Sequence, residues 1–218
     1  MAPKIVNEHE RALTRQAIMK QTRKLIAIKQ GIRNITVDDI TQAVGIAKGS
    51  FYGYFASKEI CIYEVIEQVY ETDLLHLETI MTENLPLETK IEKFVMNIFL
   101  GADGIARYIT PQDYEILLRK LPHEYMKRDE NAAEITVDGM MEIFSLARPQ
   151  VESMLVMLDC INNVATQTAL TDEIKEETIK TLTKAIANYI KEYSEHLEVG
   201  ISQFTKFPTQ DLLWLGGY

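Results

Sequence analysis

Apolar residues recur at spacings of three and four along nearly the whole chain, and no segment of useful length alternates apolar and polar positions. This spacing places apolar side chains on one face of an α-helix, whereas alternation would place them on one face of a strand. The sequence therefore predicts an all-α protein. The predicted helices span residues 10–30, 37–44, 48–55, 58–81, 88–102, 111–120, 130–147, 150–169 and 172–197.

The predicted helix boundaries near the start of the chain follow from cap and turn residues. Gly31 is expected to end the first helix, and Thr36 and Ser57 are expected to cap the helices that follow them. Gly45 supplies the tight turn after Val44, because glycine adopts the left-handed backbone conformation without steric cost. Further along, a break at Pro86 ends the long fourth helix, which would tie the two parts of the chain together.

The charge of the chain is divided unevenly along its length. The 218 residues carry a formal net charge of -9, yet residues 1–60 hold ten Lys or Arg against five Asp or Glu, so the remainder carries -14. A basic part on a larger acidic part would meet a polyanion such as DNA with one end only. Asymmetry of this size also occurs in proteins without such a partner, so charge alone does not decide the function.

Nothing in the sequence suggests a membrane partner. No stretch approaches the roughly 18 consecutive apolar residues that a membrane span requires, and the first residues lack the apolar run of a signal peptide. We therefore expect a cytoplasmic protein. Its two cysteines, Cys61 and Cys160, lie on apolar helical stretches and are expected to be buried thiols.

Residues 36–55 have the pattern of a helix-turn-helix unit, in which two short helices meet at a glycine and the second lies in the DNA major groove. Outward-facing tyrosines would suit phosphates and thymine methyl groups. Gly53 has two explanations, a close approach of the backbone to DNA or a surface position that needs no side chain. The expected inner side is Ile40, Ala43, Val44, Ile46, Phe51 and Phe55, and the expected outer side is Lys48, Gly49, Ser50, Tyr52, Gly53 and Tyr54.

The segment TVDDITQAVGIAKGSFYGYFASKEIC resembles the DNA-binding signature of the tetracycline-repressor (TetR) family. The shared features are a capping Thr, an Ile followed by a small residue, a turn that begins with Gly, a Tyr-x-Tyr-Phe run and Ser-Lys-Glu. The resemblance covers about residues 12–65. It implies an N-terminal three-helix DNA-binding domain, residues 1–57, joined by a long helix to a larger helical ligand-binding and dimerisation domain, residues 58–218.

The resemblance also implies which residues contact DNA. Thr36 and Lys58 would hold phosphates, while Lys48 would donate either to guanine or to a phosphate. Asp38 occupies a position from which some relatives contact bases, and a carboxylate there puts that contact in doubt. Lys4, Arg11 and Arg15 would either touch DNA as an arm or be solvated. The implied DNA-binding residues are Thr36, Lys48, Gly49, Ser50, Tyr52, Tyr54 and Lys58.

In the acidic part, helices 150–169 and 172–197 carry apolar stripes wide enough for an interface with a second copy, although a buried monomer core is the alternative. The family's second domain holds a small-molecule pocket, and aromatic residues here would line it or form plain core. Asn163 belongs to a polar cluster whose partner would be a ligand or the second copy. The expected ligand contacts are Tyr70, Phe99, Tyr108, Phe144 and Asn163.

No catalytic constellation is apparent in the sequence. The four histidines stand singly, and there is neither a phosphate-binding glycine loop nor a metal-ligand spacing, so we expect no cofactor, no metal and no enzyme. The expected function is a ligand-responsive, homodimeric transcriptional regulator, a repressor that leaves a palindromic double-stranded DNA operator when a small molecule binds. The alternative is a ligand-independent DNA-binding or nucleoid-organising protein of the same fold.

Overall fold

A computed structural model describes residues 8–101 and 104–194. Within these ranges the chain is all-α, as the sequence predicts, with a short 3-10 turn at Ala106–Tyr108 as the remaining regular element. No helix in the described ranges is long and apolar enough to cross a bilayer. The helices are α1 (Glu8–Ile28), α2 (Val37–Val44), α3 (Lys48–Phe51), α4 (Lys58–Met81), α5 (Leu87–Leu100), α6 (Pro111–Leu118), α7 (His123–Phe144), α8 (Arg148–Thr166) and α9 (Asp172–Tyr193).

The described residues fall into two compact units, which divide between Ile66 and Glu67, inside α4. The predicted domain boundary between residues 57 and 58 coincides with the start of α4 instead, and it stays a prediction.

The first unit contains α1, α2, α3 and the beginning of α4 around one apolar core. Its α1 buries Ile18, Leu25 and Ile26, which lie on one face because they are seven or eight residues apart. Ile40 of α2 and Phe51 of α3 are fully buried. These side chains fix the orientation of the two short helices that the sequence predicts as a helix-turn-helix unit.

The second unit is also built around its own core, in which α9 packs against α5 and α8. Val95, Val151 and Ile179 are fully buried there. At the end of α4, the buried Lys90 of α5 donates from Nζ to the carbonyl oxygen of Met81 at 2.7 Å. A cation at this position satisfies a carbonyl group that has no partner inside its helix and complements the negative end of the helix dipole.

Three helices differ from the sequence-based expectation by at least four residues at one end. α9 ends at Tyr193 instead of residue 197, and Ser194 after it is not helical. α3 ends at Phe51 instead of residue 55, because the chain then turns through residues 52–54 to bring Phe55 back into the core. α7 begins at His123 rather than residue 130. Its first two turns are polar, so apolar spacing gave no signal there, but Arg128 pairs with Glu67. Such a bond between distant residues stabilises a helix that periodicity does not predict.

Two side-chain expectations were wrong. Ala43 is exposed, and Thr41 takes the inner position next to Ile40 on α2. Cys160, expected to be a buried thiol, is exposed, whereas Cys61 is buried as expected. Cys160 immediately precedes the buried Ile161, so the rotation of about 100° per residue points it away from the core.

Candidate nucleic-acid interface

The first helix of the helix-turn-helix unit begins with a complete capping box. The hydroxyl oxygen of Thr36 accepts from the backbone N–H of Asp39 at 3.1 Å, and the backbone N–H of Thr36 donates to the Asp39 carboxylate at 2.9 Å. Lys29 lies 3.0 Å from the same carboxylate, and these partners, Lys29 first, lower the pKa of Asp39 to about 2. The Thr36 hydroxyl, which the sequence analysis expects to bind a phosphate, therefore also caps α2.

The turn between the two helices requires glycine. Gly45 has φ 79°, a left-handed conformation that side chains disfavour, and its N–H donates to the carbonyl oxygen of Thr41 at 2.8 Å. The chain then enters α3 at Lys48, so that the start of α3 follows α2 after a three-residue turn. This is the local geometry of a helix-turn-helix unit.

The start of α3 presents a polar face to solvent. Lys48, Gly49 and Ser50 are exposed, and Tyr52 is 51% exposed although its neighbour Phe51 is fully buried. Phe51 and Phe55 stack with ring centroids 5.8 Å apart, and this stack anchors the segment from below. The core therefore fixes the segment while leaving its polar residues accessible, which is the arrangement that contact with a groove needs.

Arg11 on α1 holds the end of this segment. Its guanidinium donates to the carbonyl oxygen of Gly53 at 2.8 Å and lies 5.7 Å from the ring centroid of the half-buried Tyr54. Gly53 lies in the turn after α3, not in a helix, and a Cβ there would come within 3.3 Å of the Ser50 carbonyl oxygen. This contact is tight without being a clash, and the φ of Gly53 is not positive, so the two explanations that the sequence suggests stay open.

Arg15, the second arginine expected either on DNA or in solvent, has a partner in the protein. It pairs with the buried carboxylate of Glu64 in α4, and its guanidinium lies 4.7 Å from the ring centroid of Phe55. Sequence analysis missed this bond because the two residues are 49 positions apart. Lys4, the third member of the proposed arm, lies outside the described residues.

Lys48 at the start of α3 forms an ion pair across the helix-turn-helix unit. Its Nζ lies 2.9 Å from one oxygen of the Asp38 carboxylate and 3.0 Å from the other, and Asp38 raises the pKa of Lys48. Both side chains remain more than half exposed. The base or phosphate contact expected of Lys48 stays a prediction.

Lys58, the other lysine expected on DNA, lies in the first turn of α4. Its Nζ donates to the carbonyl oxygen of Ile35 at 2.6 Å, just before the capping box, and lies 4.0 Å from the Glu59 carboxylate. Lys58 thus holds the loop that leads into α2. Its phosphate contact stays a prediction, for which an ammonium group still has further donors.

The residues expected to contact a ligand lie on different elements of the second unit, and their ligand contacts stay predictions. Phe99 and Phe144 are buried, Tyr108 is half-buried, and Tyr70 is 51% exposed. Asn163 is exposed, and its amide donates to the Asp159 carbonyl oxygen one turn earlier in α8 at 2.9 Å.

Residues 18–65 match the sequence profile described as bacterial regulatory proteins of the tetR family. The matched segment contains the capping box, the glycine turn and the polar start of α3. The matched segment is therefore similar to the DNA-binding region of TetR-family transcriptional regulators.

Known proteins resemble this chain weakly in sequence and more extensively in fold. The Bacillus subtilis (strain 168) protein YfiR, described as an uncharacterised HTH-type transcriptional regulator, is 25% identical over 118 residues, which are 54% of this chain and 56% of YfiR.

Two solved structures share the fold. E. coli NemR in its reduced form has a TM-score of 0.57 at 13% identity, and the match covers 83% of this chain and 96% of NemR. The TetR-family repressor AlkX from Dietzia sp. strain DQ12-45-1b has a TM-score of 0.51 at 14% identity, with coverage of 83% and 97%.

Proposed function

We propose that this protein is a ligand-responsive repressor that binds a palindromic operator as a dimer and leaves it when a small molecule binds. The observation that carries the proposal is the start of α3, where a buried phenylalanine stack holds an exposed polar segment after a glycine turn. The side chains proposed to contact DNA are those expected from the sequence, Thr36, Lys48, Gly49, Ser50, Tyr52, Tyr54 and Lys58.

Dimer formation is supported by the outer faces of α8 and α9. On α8, Val156 is 62% exposed, and Cys160 one turn later is exposed as well. On α9, Ile174 is 47% exposed, although the same helix buries Ile186 on a different face. A helix that is apolar on two sides needs a second partner, and a second copy would supply it. Residues 195–197, the end of the helix predicted for this interface, lie outside the described residues.

The proposed ligand site lies in the second unit, with Tyr70, Phe99, Tyr108, Phe144 and Asn163 as its expected contacts. A further structure of similar fold, RolR, was solved with resorcinol bound; its TM-score is 0.50 at 16% identity, and the match covers 87% of this chain and 97% of RolR. A small aromatic compound is therefore a sensible first probe. The ligand would weaken DNA binding through α4, the helix that both units share.

Selection of bound sequences from a random duplex library with purified protein tests DNA recognition and dimer formation together. We expect a partly palindromic site whose half-sites are about one helical turn apart, because a dimer presents two recognition helices. Light scattering should give twice the chain mass of 25.0 kDa. No enrichment of any sequence would contradict operator binding, and a monomer that binds a single half-site would contradict the dimer.

Tyr52→Ala tests the proposed contact surface on the selected operator. The substitution should weaken binding by at least about tenfold, because the exposed ring and hydroxyl would be lost from the interface. Ile135→Ala on α7 is the control, since this side chain has a similar exposure of 49% and lies outside the surfaces proposed to bind DNA or a second copy. Equal operator affinity of Tyr52→Ala and the wild type would contradict the assigned surface.

Release from the operator distinguishes the repressor from a ligand-independent DNA-binding protein. A panel of small aromatic compounds should raise the melting temperature of the protein, because a ligand that binds only the folded state stabilises it. The same compounds should lower operator affinity by about 5- to 150-fold, the usual range of such coupling. A stabilising compound without effect on operator affinity would favour the ligand-independent alternative.

A further inference from the structure

The ion pair between Asp38 and Lys48 connects the two short helices at the surface proposed to face DNA. Each side chain is at the beginning of its helix, Asp38 in the first turn of α2 and Lys48 at the first residue of α3. The ammonium nitrogen is within 3.0 Å of both carboxylate oxygens. A carboxylate next to DNA is unfavourable unless it finds a hydrogen-bond donor there, so this pair needs an explanation.

Capping of α2 does not explain Asp38. The capping box uses Asp39, whose carboxylate accepts from the backbone N–H of Thr36 at 2.9 Å and lies 3.0 Å from Lys29. Asp38 bonds Lys48 instead, through a side chain that is 71% exposed. Its carboxylate is therefore directed along the recognition surface and not into the fold.

The pair is also a poor phosphate site. A lysine alone would gain affinity for any phosphate, but a carboxylate 2.9 Å away cancels most of its charge as seen from the DNA backbone and itself repels phosphates. Base edges differ from phosphates in this respect, because they offer donors and acceptors together. In the major groove guanine presents the acceptors O6 and N7, while cytosine presents the N4 amino group as a donor.

We propose that Asp38 and Lys48 act as one specificity-determining unit that reads a G·C pair in each half-site. Lys48 donates to guanine O6 or N7, and Asp38 accepts from the N4 amino group of cytosine while holding the lysine in place. Asp38 also lowers the affinity for DNA of other sequences. On such DNA its carboxylate would lie near phosphates or base acceptors and would find no hydrogen-bond donor. This inference rests on the proposed operator binding and adds the identity of one base pair that the protein recognises.

The test compares wild type, Asp38→Asn, Lys48→Gln and the double variant by selection from a random duplex library and by affinity for selected and random duplexes. Asp38→Asn keeps the size of the side chain and should leave folding unchanged, because the group is exposed and outside the cap. Glu10→Gln is the matched control, since it removes the same charge from an exposed position of α1. Melting temperatures establish that all variants are folded.

We expect Asp38→Asn to lose about 5- to 150-fold of discrimination at one G·C pair per half-site, the usual range for one well-made contact to a base pair. Binding to random duplex should become stronger and more dependent on salt. The slope of log affinity against log salt should steepen by about 0.9 for each lysine released onto a phosphate. The double variant should discriminate no worse than either single variant, because the two side chains act as a unit.

Three results would overturn the inference, and they are distinguishable. If the wild type selects a sequence and Asp38→Asn selects the same sequence equally well, the two residues do not act as a specificity-determining unit. The proposal of operator binding would then still stand. Wild type that prefers no duplex sequence would reject the operator proposal and this inference with it. Effects of the two single substitutions that simply add would show that the residues act independently, which also contradicts the inference.

Discussion

The two cysteines of the chain provide a sharp test of the first unit, because their environments are opposite. Cys61 in α4 is fully buried beside Thr22, whose hydroxyl is 3.5 Å from the sulfur, whereas Cys160 on α8 is exposed. The thiolate attacks the disulfide reagent and displaces a thiolate from it, so both access and pKa determine the rate. We expect one fast thiol per monomeric chain, at low protein concentration under native conditions.

The expected difference in reaction rate between the two cysteines follows from the burial of Cys61. Desolvation is the largest of the effects that raise the pKa of Cys61 to about 12, from an ordinary value of 9.0. At a pH below both values this leaves about a thousandfold less thiolate than an ordinary cysteine has. Reaction through an opened state is no faster, since an opening that costs about 4 kcal/mol exposes the sulfur in about one molecule in a thousand. Cys61 should therefore react at least about a thousandfold more slowly than Cys160.

The assay follows reaction with a chromogenic disulfide at pH 8, in wild type and in Cys160→Ser. Serine at the exposed position should leave the fold unchanged, so the variant should show no fast reaction until denaturant is added. One thiol per chain, that of Cys61, should then react as the first unit unfolds. A fast reaction of Cys160→Ser without denaturant would contradict the packing of α1 against α4 around Cys61.

The fast thiol also reports the proposed dimer. Cys160 is on the same outer face of α8 as Val156, which is 62% exposed, and a second copy on this face would cover both. The rate of the fast reaction should then fall as protein concentration rises. A rate that stays constant while light scattering shows a dimer would place the interface elsewhere.

Three further predictions concern stability. Thr36→Ala should cost about 1 kcal/mol of unfolding free energy by denaturant titration, because the N-cap acceptor is lost, whereas Thr36→Ser should keep it. Lys90→Met should cost about 1 to 3 kcal/mol in the same assay, because the buried carbonyl oxygen of Met81 loses its donor, and unchanged stability would mean that the bond has no net effect. Because the pKa of Asp39 falls from 3.8 to about 2 on folding, its stabilising effect is complete above about pH 4 and lost toward pH 2, so melting curves of wild type and Asp39→Asn should converge on acidification.

Much of the helix-turn-helix unit is predictable from the sequence, because its determinants are local. Thr36 caps the residue three positions later, Gly45 turns the chain after α2, and Phe51 and Phe55 are both buried, as their apolar character suggests. Each of these features depends on residues fewer than five positions apart. The family profile matches the same stretch for this reason.

The features that sequence analysis missed depend on distant partners. The bond from Lys58 to the Ile35 carbonyl oxygen spans 23 positions, and the pair of Arg15 with Glu64 spans 49. Spacing and composition carry no signal for such pairs, which arise only when the helices have packed. The polar start of α7 is a similar case, because its ion pair of Arg128 with Glu67 joins residues 61 positions apart.

The basic excess of residues 1–60 is therefore a poor measure of attraction to DNA. Arg15 and Lys48 are each paired with a carboxylate of the same unit, and Lys58 is bonded to a carbonyl oxygen. A cation that is bonded within the protein releases fewer counterions from DNA than a solvent-exposed cation without a partner, because part of its charge is already compensated. The same bonds hold the start of α3 in place. The basic residues therefore fix the geometry of the surface, and less of their charge is left to attract DNA. Sequence preference at this surface should then depend more on the position of Lys48, Tyr52 and their neighbours than on net charge.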